Sequence, residues 1–184
     1  MNQAIVSAEE RMKKTVASLK DDFAAVRTGR ASASLFDKLR VDYYGEKTPL
    51  AQVANISIPE ARLIVVQPWD RSMIGEIEKA IRASELSLNP SNDGKVIRIA
   101  IPSLTEERRK ELAKHAKAMA EERRVAIRNI RRDCNDELKA ALKDGELTED
   151  DEGRAAEDLQ KLTDSYIKEI NRLLEEKEKE IMEV

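Results

Sequence analysis

A single cysteine, Cys134, leaves the chain no internal disulfide and fits a reducing, cytoplasmic setting. Aromatic residues make up only 3% of the 184 positions, too few for the core of a β-sandwich. No run of ~18 apolar residues occurs, so no membrane-spanning helix is expected. The opening stretch MNQAIVSAEERMKK lacks an apolar signal core and the Arg/Ser-rich, acid-poor character of a transit peptide. No internal repeat or low-complexity tract appears. What is abundant is charge, at 38% of residues, beside a hydrophobic fraction of 41% that exceeds what a disordered chain carries. Long amphipathic helices satisfy both numbers.

Proline is absent from both flanks. All five prolines (Pro49, Pro59, Pro68, Pro90, Pro102) fall in one central stretch, together with Phe36, Tyr43, Tyr44 and Trp69. Proline removes a backbone donor and breaks helices, so its confinement marks a different architecture between about residues 31 and 103. In the first flank Ile5, Met12, Leu19 and Val26 recur every seven residues, with Val16 and Phe23 four beyond Met12 and Leu19. That spacing predicts a bundle helix, capped by Gly29 in a left-handed conformation. The second flank predicts a helix opening at Ser103 or Thr105, with Ser103 and Glu106 as a capping box. Its apolar positions are Leu112, Ala116, Met119, Ile127, Ile130, Cys134, Leu138 and Ala141, and Gly145 ends it. At about 38 residues it would be roughly 57 Å long, so the bundle must be a rod. Thr148 and Asp151 start a third helix with the seam Leu159, Leu162, Tyr166, Ile170, Leu173 and Ile181.

The central stretch holds four strand candidates, LRVDYY, VANISI, RLIVVQP and KVIRIAI, bounded by turn residues. Ile74, Ile77 and Ile81 predict a helix between the third and fourth. The fold class is therefore α+β with two domains. A long three-helix bundle (residues 1–30 and 104–184) carries an inserted small β/α/β domain (residues 31–103). Two chain crossings join the modules, a connection that restrains twisting while permitting bending.

The near-neutral total of -3 conceals polarity along the chain. Arg108 to Arg132 holds ten Lys or Arg against three Glu, whereas Asp133 to Val184 holds eight against eighteen Asp or Glu. Residues 31–103 carry nine of each sign. Lys110, Lys114, Lys117, Arg124, Arg128 and Arg131 step by helical spacings, and Lys13, Lys20 and Arg27 step by seven. These stripes predict one merged basic wall for a polyanion. The competing reading is a solvated face neutralised by the acidic third helix. Arginine predominates, and its planar fork pairs bidentately with phosphate, which favours RNA.

Catalytic chemistry is missing from the pattern. His115 and Cys134 have no partner cluster of the kind a metal or a nucleophile needs. Around SNDGKV (residues 91–96), Asn89 and Val96 stand where a phosphate-binding loop needs Gly and Ser or Thr. The run Glu149-Asp150-Asp151-Glu152 lacks calcium-loop alternation and suits a helix N-terminus. Neither an enzyme, a metal site nor a cofactor is expected. A helical adaptor for other proteins remains a rival of a different class.

Several stretches together resemble the ribosome recycling factors: VRTGRASASL, VDYYGEKTPL, WDRSM, EKAI, LSLNPSNDGKVIRIAIPSLTEERRKEL, RVAIRNIRRD and DLQKLTDSYIKEI. They run nearly end to end in order, with Trp69 where the motif has Phe. The resemblance implies an L-shaped, two-domain bacterial protein of transfer-RNA size, located in the cytoplasm; a monomer is expected because the three helical seams can close on each other. It would enter the post-termination ribosome and lie on large-subunit ribosomal RNA. With elongation factor G and GTP it would promote subunit splitting and release from messenger RNA, the partner alone using the GTP. RNA-contacting residues would be Arg27, Arg128, Arg131 and Arg132, and the spacing of the basic stripe adds Lys117 and Arg124. The hinge would comprise Gly29, Arg30 and Ala31 on one crossing and Pro102 and Ser103 on the other.

Overall fold

The computed structural model describes residues 2–183. The described elements are α1 (Gln3–Ala25), β1 (Arg40–Tyr43), β2 (Glu46–Pro49), β3 (Ala54–Glu60), β4 (Leu63–Pro68), α2 (Ile74–Ala83), β5 (Pro90–Asn92), β6 (Ile97–Ala100), α3 (Glu106–Lys143) and α4 (Glu149–Met182). They form two compact units, one up to Thr28 and from Thr105 onward, the other Gly29–Leu104.

In the first unit the heptad spacing becomes a buried ladder of Ile5, Ala8, Met12, Val16, Leu19 and Phe23 on α1. The Asn2 side chain starts that helix by accepting from the Ala4 amide at 2.8 Å. Its end differs from the sequence expectation. Val26 is already extended at φ -76°, so the helix stops four residues before Gly29 and without a left-handed cap. Gly29 does adopt φ +76°, but as part of the other unit, where a Cβ would meet Leu104 Cγ at 3.2 Å.

Thr105, and not Ser103, caps α3: its Oγ1 accepts from the Arg108 amide at 3.1 Å. The expected Ser103–Glu106 box does not form, because Ser103 lies outside the first turn. α3 spans 38 residues and ends as a Schellman motif. The Glu146 amide bonds to Ala141 O at 2.9 Å and the Gly145 amide to Leu142 O at 3.1 Å, with Gly145 at φ +75°. Thr148 caps α4 through the Asp151 amide at 3.1 Å, and four acidic residues in the first turn complement the helix dipole.

Burial on α3 follows Leu112, Ala116, Ala120, Ile127, Ile130, Cys134 and Leu138. On α4 it follows Ala155, Leu159, Thr163, Ile170, Lys177 and Ile181. Leu162, Tyr166 and Leu173 flank that seam half-buried, so two polar residues enter the core unannounced. Thr163 satisfies its hydroxyl by donating to Leu159 O at 2.7 Å, and Lys177 reaches Glu180 at 3.3 Å.

The second unit contains six strands, two more than the sequence signals mark. β2 (EKTP) and β5 (PSN) are polar segments without a hydrophobic run. β1 and β2 form a hairpin, and β3-β4-β6-β5 form an antiparallel sheet. Alternation along β4 and β6 buries Ile64, Val66, Ile97 and Ile99, against which α2 places Ile74, Ile77 and Ile81. The SNDGKV segment is the β5–β6 turn. Asp93 accepts from the Lys95 and Val96 amides at 2.9 Å, and these amide bonds, aided by Arg98, lower its carboxyl pKa to about 2.

Gly145 has nothing within 4 Å of its would-be Cβ, so Gly145→Ala probes backbone conformation alone. We predict that it lowers the unfolding free energy of the first unit by about 1 kcal/mol in urea titration. No loss would mean that the α3 terminus does not require the left-handed residue.

Candidate nucleic-acid interface

The five arginines of RRVAIRNIRR lie on one helix, so successive residues point about 100° apart and cannot share a direction. Arg123 faces α1, where it is clasped by Asp22 and Ser18. Arg124 donates from Nη1 to Asn171 Oδ1 of α4 at 2.9 Å and from Nε to Glu121 at 2.8 Å. Arg131 donates from Nη1 to Gln160 Oε1 of α4 at 3.0 Å. The Gln160 amide is turned that way because its nitrogen donates to Asp164 at 2.8 Å. Arg128 is more exposed and reaches Glu121 at 3.4 Å. Arg132 is exposed and makes no hydrogen bond or ion pair among the described residues.

The chemistry of these contacts matters more than their number. α4 is acidic, yet it offers two amides to this flank of α3. A neutral oxygen orients a guanidinium without cancelling its charge, whereas a carboxylate would do both. Glu121 supplies the carboxylate bonded to Arg124 and Arg128. Its pKa is lowered chiefly by the Arg124 hydrogen bond and then by the charges of Arg124 and Arg128, so it is ionised at neutral pH. Arg131 carries a buried Nε with no hydrogen-bond partner, as do Arg109 and Arg123.

The remaining sequence expectations are placed as follows. Lys117 lies on the same flank, 4.0 Å from Glu178. Lys110 pairs with Glu106 at 3.1 Å, and Lys114 is exposed. On α1, however, Lys20 reaches Glu169 of α4 at 3.9 Å, and Lys13 pairs with Glu9 at 3.6 Å. The two basic stripes therefore flank α4 from opposite sides, and the single merged wall expected from sequence does not form. The row between α1 and α3 is a different one, marked by Arg11–Asp133 at 2.8 Å and by Arg123. Arg27 is exposed and makes no ion pair among the described residues, but it stands apart from the α3 cluster. Its neighbour Thr28 donates to Glu180 at 3.0 Å, twenty residues along α4 from Gln160 and hence about 30 Å distant. Glu169, Glu176 and Glu180 belong to the α1 side of α4, engaged by Arg172, Lys20, Thr28 and Lys177.

Of the residues that chemistry might use, His115 is exposed and Cys134 is buried. Desolvation chiefly raises the Cys134 thiol pKa, which keeps it protonated. No group of three or more potential metal ligands occurs among the described residues. No helix among them is long and apolar enough to cross a membrane.

The ribosome recycling factor family model matches residues 19–182. The chain belongs to the ribosome recycling factor family. It is 63% identical over 177 residues to the ribosome-recycling factor of Treponema denticola, covering 96% of each chain. It is 59% identical over 184 residues to that of Caldicellulosiruptor bescii, covering 100% of each. A solution structure of the ribosome recycling factor superimposes with a TM-score of 0.75 at 48% identity, over 98% of this chain and 96% of the other. A second structural relative is the T. thermophilus ribosome recycling factor, in models with E. coli elongation factor G on the E. coli post-termination complex. Its TM-score is 0.63 at 46% identity, over 98% of each chain. These relatives are bacterial translation factors, and the helical bundle with a separate β-containing unit is the architecture this chain shares with them.

Gln160 and Asn171 were missed in the sequence, although a signal existed. They are the only amide side chains of α4 and lie eleven residues apart, three helical turns on one face. Glu121→Gln should tighten binding to large-subunit ribosomal RNA about threefold, with stability changed by less than about 1 kcal/mol. Gln160→Glu should weaken binding by a similar factor. Filter binding at fixed salt reads both, and equal affinities would show that this flank does not meet RNA.

Proposed function

We propose that the chain binds the post-termination ribosome through the α3 flank bearing Lys117, Arg124, Arg128, Arg131 and Arg132, with Arg27 as a separate contact. The surface bound is large-subunit ribosomal RNA. With elongation factor G and GTP the chain promotes separation of the subunits and release from messenger RNA. The observation that carries this reading is that Arg131 meets only a neutral amide while Arg124 and Arg128 share the single carboxylate of Glu121, so the row keeps a net positive charge for another molecule. Planar guanidinium forks held in this way suit phosphate oxygens, and the absence of aromatics beside them suits recognition of backbone shape over bases.

The chain performs no catalysis in this account, and GTP belongs to the partner factor. Bending occurs where the backbone crosses between units, at Gly29 and Arg30 on one strand and Pro102 and Ser103 on the other. Ala31 moves with the second unit, because its amide is bonded to Ala61 O at 2.7 Å. The protein acts as a cytoplasmic monomer. A helical adaptor is disfavoured because Met12, Leu19, Ile127 and Ile170 are consumed in the bundle's own core.

Neutralising about four phosphates predicts a log–log salt slope of roughly -3 for binding to the large subunit. A flat response would contradict the reading. Arg132→Ala should lower affinity about fivefold without changing thermal stability, since the side chain has no partner among the described residues to lose. Splitting of post-termination ribosomes should require this protein, elongation factor G and GTP together. Splitting that needs only two of the three would reject the assignment.

A further inference from the structure

Arg124 is the member of its row whose guanidinium nitrogens are all engaged within the chain. Nε and Nη2 both reach Glu121 Oε2, each at 2.8 Å, and Nη1 donates to Asn171 Oδ1 at 2.9 Å. The edge formed by Nε and Nη2 is one that a guanidinium uses to grip an anion at two points. Here a carboxylate of the chain itself fills that edge, and the Arg124 side chain is only 17% exposed. The other carboxylate oxygen, Oε1, lies 3.4 Å from Arg128 Nη1. One carboxylate therefore spans two arginines.

The two partners of Arg124 are not equivalent. Asn171 belongs to α4 and aims the guanidinium from the neighbouring helix. Glu121 lies one turn before Arg124 on α3, and its side chain is 53% exposed. Rotation about its side-chain bonds would carry the carboxylate into solvent without moving either helix. An ion pair this exposed favours its closed form by only a few-fold. A phosphodiester offers what the carboxylate offers, two oxygens sharing a negative charge, and its binding also releases condensed counterions. Phosphate can therefore replace Glu121 at the Arg124 edge.

We propose that Glu121 is a displaceable internal substitute for RNA phosphate, occupying the Arg124 fork in the free protein and leaving it when a phosphodiester takes its place. The inference rests on the ribosome reading above and adds to it a self-competition that limits affinity. Asn171 keeps the fork aimed during the exchange, so the arginine stays in position. Glu121 is ionised at neutral pH, so it competes with a full charge. A tethered competitor also acts at a fixed effective concentration that dilution does not lower. In the ribosome reading the protein leaves its site after each round, and the returning carboxylate favours that departure. A passive alternative exists: Glu121 could act only by lowering the local potential, and its effect would then be independent of the Arg124 fork.

A double-mutant cycle on Glu121 and Arg124 separates the two, read as dissociation constants for purified large ribosomal subunits by filter binding at fixed salt. Displacement predicts that Glu121→Gln tightens binding about threefold in the natural chain, but less than about 1.5-fold in an Arg124→Gln background. Arg124→Gln should correspondingly weaken binding about twofold alone and about sixfold when combined with Glu121→Gln. Equal gains from Glu121→Gln in both backgrounds, or no gain in the natural chain, would overturn the proposal. Thermal unfolding checks that each variant is folded. If Arg124→Gln does not fold, the same cycle with the more exposed Arg128→Gln decides: coupling of about twofold in the same direction is expected, and none overturns the proposal. Arg132→Ala, outside the Glu121 cluster, tests the ribosome reading separately. Weakened binding there alongside equal gains in the cycle rejects displacement alone, whereas unchanged binding rejects the ribosome reading and this proposal with it.

Discussion

The account depends on one constraint: a row of arginines on a long helix must be held in place without being neutralised. α3 meets that constraint by facing amides. Asn171 and Gln160 accept from Arg124 and Arg131, and Asp164 turns the Gln160 oxygen toward its partner. Glu121, on α3 itself, is the carboxylate bonded to this row, shared by Arg124 and Arg128, whereas the other side is closed by the interhelical ion pairs Arg11–Asp133 and Arg123–Asp22. The same helix therefore carries two kinds of arginine. One kind closes the fold, and the other, Arg124, Arg128 and Arg131, outnumbers the one carboxylate bonded to it, Glu121.

That division explains the rest of the bundle. Apolar residues on three helices are buried against each other, which frees the flanks for charge. Glu169, Glu176 and Glu180 of the acidic C-terminal stretch are engaged by Lys20, Thr28, Lys177 and Arg172, away from the arginine row on α3, whereas Glu178 lies on that flank beside Lys117. A rod polarised around its circumference, and not only along its sequence, has a preferred side toward a polyanion. Field strength from such a surface also speeds encounter with the partner, a benefit that added salt removes.

Much of this was legible in the sequence. The heptad of Ile5, Met12, Leu19 and the confinement of the five prolines give the bundle and its insertion, because periodic burial and helix breaking leave direct marks. What escaped depends on rotation and on partners distant in sequence. Helical spacing groups Arg124, Arg128 and Arg131, but it does not say which way that group points. The stripe of Lys13 and Lys20 was placed beside it when α4 in fact separates them. β2 and β5 escaped because they pair through backbone and bury little, so no hydrophobic run announces them. Thr163 and Lys177 entered the core for a similar reason: each satisfies its polar group within its own helix.

Directed hydroxyl-radical probing on the large subunit tests the central claim most directly, with iron tethered to single cysteines in a Cys134→Ala background. Val125→Cys stands between Arg124 and Arg128 on the exposed surface of α3, and Glu176→Cys stands on α4 among the acidic residues. The account predicts strong ribosomal RNA cleavage from position 125 and little from position 176. Equal cleavage from both, or cleavage from 176 alone, would show that the arginine flank is not the side that meets RNA.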